Sequence, residues 1–274
     1  MHTSLSDGRL SPEEALRRYQ ARGYDFVALT DHWQPSKTGR FQGMTVLPGV
    51  ELDADVDGEQ VAHIVGAGFD PEKLALSGIN ANAQALIDAI RSAGGVAILA
   101  HPAWSMNTVD FICSLSGLSG AEIFNTFSGI PWNTGRAESS YILDLVATKG
   151  LLLPLVSSDD AHKYAGEEGV SATMVNARDN SPEALVEALR AGRFYASQGP
   201  YFEQIAIDGR EVDVTSSPCE RIVFYSNIQW EEGRCVSGRD LTHVHYRMSE
   251  KERYLRVELI DGFGRRAWSS PVRV

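Results

Sequence analysis

Gly95-Val96-Ala97-Ile98-Leu99-Ala100-His101-Pro102 is the stretch on which the reading of the fold turns. Four aliphatic residues succeed one another without polar alternation, the pattern of a strand buried on both faces. Gly94-Gly95 ends whatever helix precedes it. The run closes on an imidazole. A doubly covered strand with a functional group at its C-terminal end points to an α/β sheet that gathers chemistry at its strand ends.

Outward from this stretch the same layout recurs. Short β-rich segments at 24–30, 45–50, 61–66, 95–100, 120–124, 151–157 and 171–175 alternate with helical spacing at 12–22, 81–93, 136–149 and 182–191. Ser11-Pro12-Glu13-Glu14 supplies an N-cap, a first-turn proline and acids against the helix dipole, and Ser181-Pro182-Glu183 repeats the pattern. Strand–helix alternation predicts a parallel sheet with helices outside it. No GxGxxG or phosphate-loop motif comes after a strand, so a closed or nearly closed barrel fits better than a nucleotide-binding open sheet. After Pro200 helical periodicity stops. Strand-like runs take over at 202–207, 221–225, 243–247, 254–260 and 271–274, with Asp208-Gly209 and Asp261-Gly262 as turn signals. The expected division is a barrel domain over 1–199 and a small sandwich-like β-domain over 200–274.

The totals bound the function. A net charge of -11 over 274 residues disfavours generic nucleic-acid binding, because it repels phosphate backbones. Cys113, Cys219 and Cys235 are scattered, which argues for a reducing compartment rather than a disulfide framework. No apolar run reaches the roughly 18 residues of a membrane helix, and the N-terminus lacks a signal-peptide layout. The expectation is a soluble cytoplasmic protein.

The residues at the strand ends carry the chemistry. The first segment ends in Asp31-His32, the second in Glu51, the fourth in His101, the fifth in Asn125, the sixth in Ser158-Asp159-Asp160-Ala161-His162. His63 lies within the third, and His2 and Asp7 lie upstream of them all. Five of the seven histidines fall in this set; His243 and His245 lie in the β-tail. Imidazole and carboxylate together suit zinc, manganese or iron. The donors exceed one ion's needs, so two or three divalent ions sharing a carboxylate are expected, an arrangement that lowers the pKa of a bridging water. Singly, each residue has a plainer reading. Asp7-Gly8 is a turn, and Asp53, Asp55, Asp57 and Glu59 read as a solvated acidic loop.

Six of these stretches, in order over residues 2–162, resemble the polymerase-and-histidinol-phosphatase (PHP) family of metal-dependent phosphoesterases. They are His2-Thr3-Ser4-Leu5-Ser6-Asp7-Gly8, Thr30-Asp31-His32, Gly49-Val50-Glu51, His63-Ile64-Val65-Gly66, Ala100-His101-Pro102 and Ser158-Asp159-Asp160-Ala161-His162. The resemblance implies a distorted (β/α)7 barrel. It implies His2, Asp7, His32, Glu51, His63, His101, Asp160 and His162 as metal ligands, Glu51 as the bridge, and Asp160 rather than Asp159. The family opens with His-x-His on its first strand. Here His2 matches the second histidine, the first is missing, and the first strand reads as truncated; a misplaced start is the expectation.

The function expected is hydrolysis of a small phosphate ester through a metal-bridged hydroxide, with Glu51, Asp160 and His162 catalytic. Asn125, Lys163 and Arg136 are candidate substrate residues, and Arg9 and Arg40 are further cations in strand-end loops. Two alternatives stand beside it: an amidohydrolase-like C–N or C–O hydrolase on the same cluster, and a metal-binding scaffold without catalysis.

Overall fold

A computed structural model describes residues 1–77, 79 and 82–274. Its elements run α1 (Pro12–Ala21), β1 (Phe26–Leu29), β2 (Gly39–Phe41), β3 (Met44–Asp55), β4 (Val61–Ala67), α2 (Ala83–Ser92), β5 (Val96–Leu99), α3 (Val109–Ser114), β6 (Gly120–Asn125), α4 (Ser140–Thr148), β7 (Leu155–Ser158), β8 (Ala172–Val175), α5 (Pro182–Arg190) and β9 (Phe194–Ser197). Then come β10 (Phe202–Asp208), β11 (Glu211–Tyr225), β12 (Cys235–Arg247), β13 (Tyr254–Ile260), β14 (Arg266–Trp268) and β15 (Val272–Arg273). The expected helix over 81–93 begins at Ala81, which lies outside the described residues; the described helix is capped by Asn82, whose side chain accepts from the Ala85 amide.

The protein is α/β. Its first sheet is mixed and curled like half a barrel, in the order β1-β3-β4-β5-β6-β7 with β2 on β3. The outer pairs β1–β3, β5–β6 and β6–β7 are parallel, as the alternation predicts. β4 corrects the expectation of a parallel sheet: it runs antiparallel to both β3 and β5. The physical reason is length. Residues 56–60 are too few for a crossover, which needs about a dozen, so β3 and β4 form a hairpin through Asp57-Gly58, where Gly58 has a positive φ of 79°.

Local chemistry sets the helix ends. Ser11 and Glu14 form a reciprocal capping box at α1, and Ser181 caps α5 ahead of Pro182. α4 starts later than the expected 136, because the preceding residues are engaged elsewhere. Ser139 is buried and accepts from the Ala103 amide, and Glu138 bridges to Phe124. The main core packs α2 against the sheet through Leu86, Ile87, Ile90, Ile64 and Leu99, all fully buried.

A separate antiparallel sheet forms toward the C-terminus, in the order β10-β11-β13-β14-β9-β8, with β12 on β11 and β15 on β13. It therefore takes in β8 and β9, from before the composition change at Pro200. Ser157 of β7 ties the two sheets together: its hydroxyl donates to the Ala172 carbonyl at 2.8 Å and accepts from the Ser197 amide at 3.3 Å. Trp268 of β14 is fully buried in the first core, stacked on Phe124 at 5.7 Å. Buried Arg256 of β13 reaches Asp144 of α4 through two bonds of 2.6 and 2.7 Å, and lies over Tyr225 at 3.8 Å.

Between β1 and β7 the half-barrel encloses a cavity of about 620 Å³, walled by Phe26, Leu47, Ile98, Val156, Leu185 and Leu189. Glu51, His101 and Asp160 close one end. Met1 and His2 span the strand ends there: the Thr30 amide donates to the Met1 carbonyl at 3.0 Å, and the His2 amide donates to the Ala161 carbonyl at 2.9 Å. Among the described residues, no helix is long and apolar enough to cross a membrane.

Candidate metal centre

Strand ends deliver the side chains. Glu51 lies on β3, and its carboxylate is 2 % exposed. One oxygen meets His63 Nδ1 at 2.6 Å and His101 Nε2 at 3.3 Å; the other meets His2 Nε2 at 2.8 Å. Three imidazoles on one buried carboxylate form the centre of the arrangement. Asp160, beyond β7, approaches His2 Nε2 at 3.0 Å and His101 Nε2 at 3.9 Å. Asp7 completes the outer side, 3.4 Å from His162 Nε2, 3.5 Å from His2 Nδ1 and 3.9 Å from His32 Nε2.

The donors fall into three groups, each with ligand atoms within 4.8 Å of one another: His2/Asp7/His32/His162, Glu51/His63/His101 and His2/Glu51/Asp160. The structure thus brings all eight residues singled out as candidate ligands into one neighbourhood. These buried histidine–carboxylate clusters could hold metal ions. A test of fit lies in the protein itself. His2 Nδ1 is fully buried and, among the described residues, has no hydrogen-bond partner, with Asp7 standing off at 3.5 Å; a cation would satisfy it. His101 (φ 28°) and Asp160 (φ 52°) hold left-handed backbone conformations, the kind of strain that surrounding structure must maintain.

Electrostatics agrees with that fit. Burial alone would lower the pKa of His2, yet its bonds to Asp160 and Glu51 outweigh burial and raise it to about 10. His101 is likewise raised to about 9: burial opposes the shift, and the bond to Glu51 overcomes it. Burial pushes Glu51 up, but His101, His2 and His63 hold it well below the usual carboxylate range. Asp160 falls to about 2, since its pairing with His2 outweighs burial and the repulsion of Glu51. His162 is lowered by burial. The upward shifts of His2 and His101 reflect the carboxylates that face them, and a divalent ion would compete with protons for the same nitrogens.

The other candidate residues spread from the cluster out to the surface. Asn125 is buried beside the cluster, donating to Glu122 at 2.9 Å and to Asp160 at 3.4 Å. Lys163 is exposed, its ammonium 5.7 Å from the Phe127 ring, which stacks on His162 at 4.3 Å. Arg136 is exposed on the loop between β6 and α4. Arg9 is exposed and its amide donates to the His162 carbonyl at 2.8 Å. Arg40 is directed elsewhere, onto the Gly43 and Asn180 carbonyls. Asp159 turns away into the amides of Gly169, Val170 and Ser171 at 2.6–3.0 Å. Of the acidic loop, Asp55, Asp57 and Glu59 are exposed, whereas Asp53 accepts from Trp33 Nε1 at 2.6 Å.

Several supporting residues stand behind the candidate ligands, and of these only Asp31, beside His32, was part of the strand-end reading. Glu122, buried inside β6, accepts from the His101 amide at 2.8 Å. Asp31 takes the Thr3 amide at 2.6 Å and the Ser6 hydroxyl at 2.7 Å, fixing the loop that carries Asp7. Ser105 bonds His101 Nδ1 at 2.9 Å. Trp104 packs edgewise on His101 and His63 at 5.0 and 5.8 Å. An acid inside the otherwise apolar Gly120-Ala121-Glu122-Ile123-Phe124 was the one signal in the sequence, because a buried carboxylate needs partners.

No family model matches the chain. It is similar to a 3',5'-nucleoside bisphosphate phosphatase of Chromobacterium violaceum, 37% identical over 82 residues, which is 28% of this chain and 28% of that protein. It is also similar to a 5'-3' exoribonuclease of Haemophilus influenzae, 35% identical over 75 residues, 25% of this chain and 27% of that one. The chain thus matches less than a third of the length of either relative. Both relatives are PHP-domain proteins, and the likeness of this chain to them is distant and partial.

Proposed function

We propose that the protein is a divalent-metal-dependent phosphoesterase on a distorted seven-stranded β/α barrel of the PHP type, acting on a small phosphate ester. The observation that carries this reading is the Glu51 carboxylate, buried and shared by His2, His63 and His101. A carboxylate with imidazoles on both oxygens is suited to bridging two ions. The ions would be held by His2, Asp7, His32, Glu51, His63, His101, Asp160 and His162. When bound, two or three zinc, manganese or iron ions would activate water and offset the charge that develops on phosphorus oxygens.

The chain's own groups do the rest. Asp160 stays ionised across the neutral range, and His162, lowered by burial, is neutral there. His162 Nδ1 donates to the Asp160 carbonyl at 2.7 Å, so its Nε2 would be the atom given to an ion, which leaves Asp160 Oδ2, beside Asn125, as the candidate proton-accepting atom. Asn125 steadies Asp160. Lys163, beside Phe127 and His162, is the cation best placed to meet a phosphate, with Arg136 further out. One relative is named for a nucleoside bisphosphate and the other as an exoribonuclease, which puts nucleoside phosphates and short RNAs first among substrates to try.

Purified protein should be assayed with Mn²⁺ or Zn²⁺ against phosphomonoesters, nucleoside bisphosphates, cyclic phosphates, short oligonucleotides and amides. Turnover of a phosphate ester is expected. Turnover of amides alone would favour the amidohydrolase reading, and none at all the scaffold. Glu51→Gln should lower kcat by more than the ~10–100-fold typical of residues that merely orient a ligand; retained activity would remove Glu51 from the bridge.

A further inference from the structure

The loop between β7 and β8 carries Asp160 and His162, and one buried carboxylate organises it. Glu167 is 0% exposed. Its Oε1 accepts from the backbone amides of His162 at 3.2 Å, Lys163, and Tyr164 at 2.5 Å; its Oε2 accepts from the Ala165 amide at 2.8 Å. Four consecutive amides therefore converge on a single side chain. Charge-assisted bonds of this kind are among the stronger ones a loop can make.

The wrapped loop reaches into the metal centre by two routes. With the amide of His162 fixed, its carbonyl receives the Arg9 amide at 2.8 Å, next to the turn that carries Asp7. Its ring stacks on His2 at 4.0 Å. Tyr164, held at a positive φ of 54°, donates its hydroxyl to the His2 carbonyl at 2.6 Å. His2, Asp7 and His162 thus all depend on how this loop is wound. The other group, Glu51, His63 and His101, stands on β3, on β4 and just beyond β5, and makes no bond to residues 162–165 among the described contacts.

We propose that Glu167 is a positioning residue for one half of the candidate metal centre, the His2/Asp7/His32/His162 position, and not for the Glu51/His63/His101 position. This rests on the metal-dependent function proposed for the protein. A glutamine in its place keeps the shape but sets an NH2 group against amide donors, so two donors face each other where a donor met an acceptor. The loop must then rewind, and the ligands it carries move with it.

Glu168 provides the internal control. It is also buried and adjacent, but it pairs with Arg22 at 2.9 Å and accepts from the Gly166 amide at 3.1 Å, touching none of the amides 162–165. A purely structural role for acids in this loop would make the two residues equivalent.

The test is a Co²⁺ titration of the metal-stripped 274-residue chain, monitored by calorimetry and by the visible absorption of the bound ion. Wild-type protein should bind at least two equivalents; less than one would sink the metal-dependent reading itself and this inference with it. In Glu167→Gln, one equivalent should weaken by ~10–100-fold, the range for residues that orient ligands, with a changed spectrum for that ion and an unchanged second equivalent. Glu168→Gln should leave both equivalents as in wild type. Unchanged binding in Glu167→Gln, equal loss of both ions, or the same loss in Glu168→Gln would each overturn the proposal. Should Glu167→Gln fail to fold by circular dichroism, Tyr164→Phe, which deletes only the bond to His2, should show the same one-sided weakening, and an unaltered titration there would be equally fatal.

Discussion

His2 illustrates how much one residue can be asked to do. It is fully buried, shared between Glu51 and Asp160, and left with an unpartnered ring nitrogen. In the metal-stripped protein its raised pKa has a thermodynamic consequence. A group whose folded pKa lies above its unfolded value stabilises the fold fully below the unfolded pKa, and that contribution disappears as pH rises through the folded value. His2, at about 10, and His101, at about 9, therefore predict a metal-stripped protein that weakens progressively from about pH 6.5 and has lost this support by pH 9–10. Asp160, lowered to about 2, has the opposite sign: its contribution is present above the ordinary carboxylate range and is lost as pH falls through about 2. Thermal melts with and without Mn²⁺ should diverge most at alkaline pH. Parallel curves would mean that the imidazoles do not carry those protons. The candidate ligands were legible because histidines and acids recur at strand ends in a fixed order. Glu122 and Glu167 were not, because each holds backbone amides, that of His101 in one case and those of residues 162–165 in the other, which a sequence does not display.

At the scale of elements, beginnings were the readable part. Ser11 with Glu14, and Ser181 with Pro182, are chemical instructions within four residues of where they act. Strand direction was less accessible. β4 reads like its neighbours, and only the five-residue connection after Asp55 reveals that it must turn back. Its reversal matters to the site: it sets His63 across from Asp53 and brings its ring onto Glu51. β9 and α3 went unseen for a related reason. Val109–Ser114 is under two helical turns, too short for a period to declare itself, and Phe194–Ser197, unlike the equally short Val96–Leu99, has no aliphatic run to mark it.

The whole molecule depends on how its two sheets are pinned. The change at Pro200 marks where helices cease, whereas the second sheet already includes β8 and β9. Pairing between strands distant in sequence is set by packing, and Trp268 and Arg256 perform it from the far end of the chain. Removing Asp144 leaves the Arg256 guanidinium buried with Glu258 at 3.1 Å as its remaining partner. Asp144→Ala should therefore cost about 3 kcal/mol in urea denaturation, the low end for breaking a buried pair. Replacing both partners together, Arg256→Met with Asp144→Leu, should cost less than Asp144→Ala alone. Additive losses would show that the pair does not act as a unit.

Trp104 lies edgewise against His63 and His101, close enough for its excited state to sense what those rings hold. The protein therefore carries a built-in optical reporter. A paramagnetic ion such as Co²⁺ or Cu²⁺ held by these histidines should quench indole emission, and Trp104→Phe should lower that response, leaving the share of Trp33, which follows His32 and donates its amide to the Glu51 carbonyl. Trp230, 76% exposed and remote in sequence, would remain as an indifferent background. Emission that ignores the ion in wild-type protein would mean that it binds elsewhere. Occupancy could then be tracked in solution by light alone, before any substrate is known.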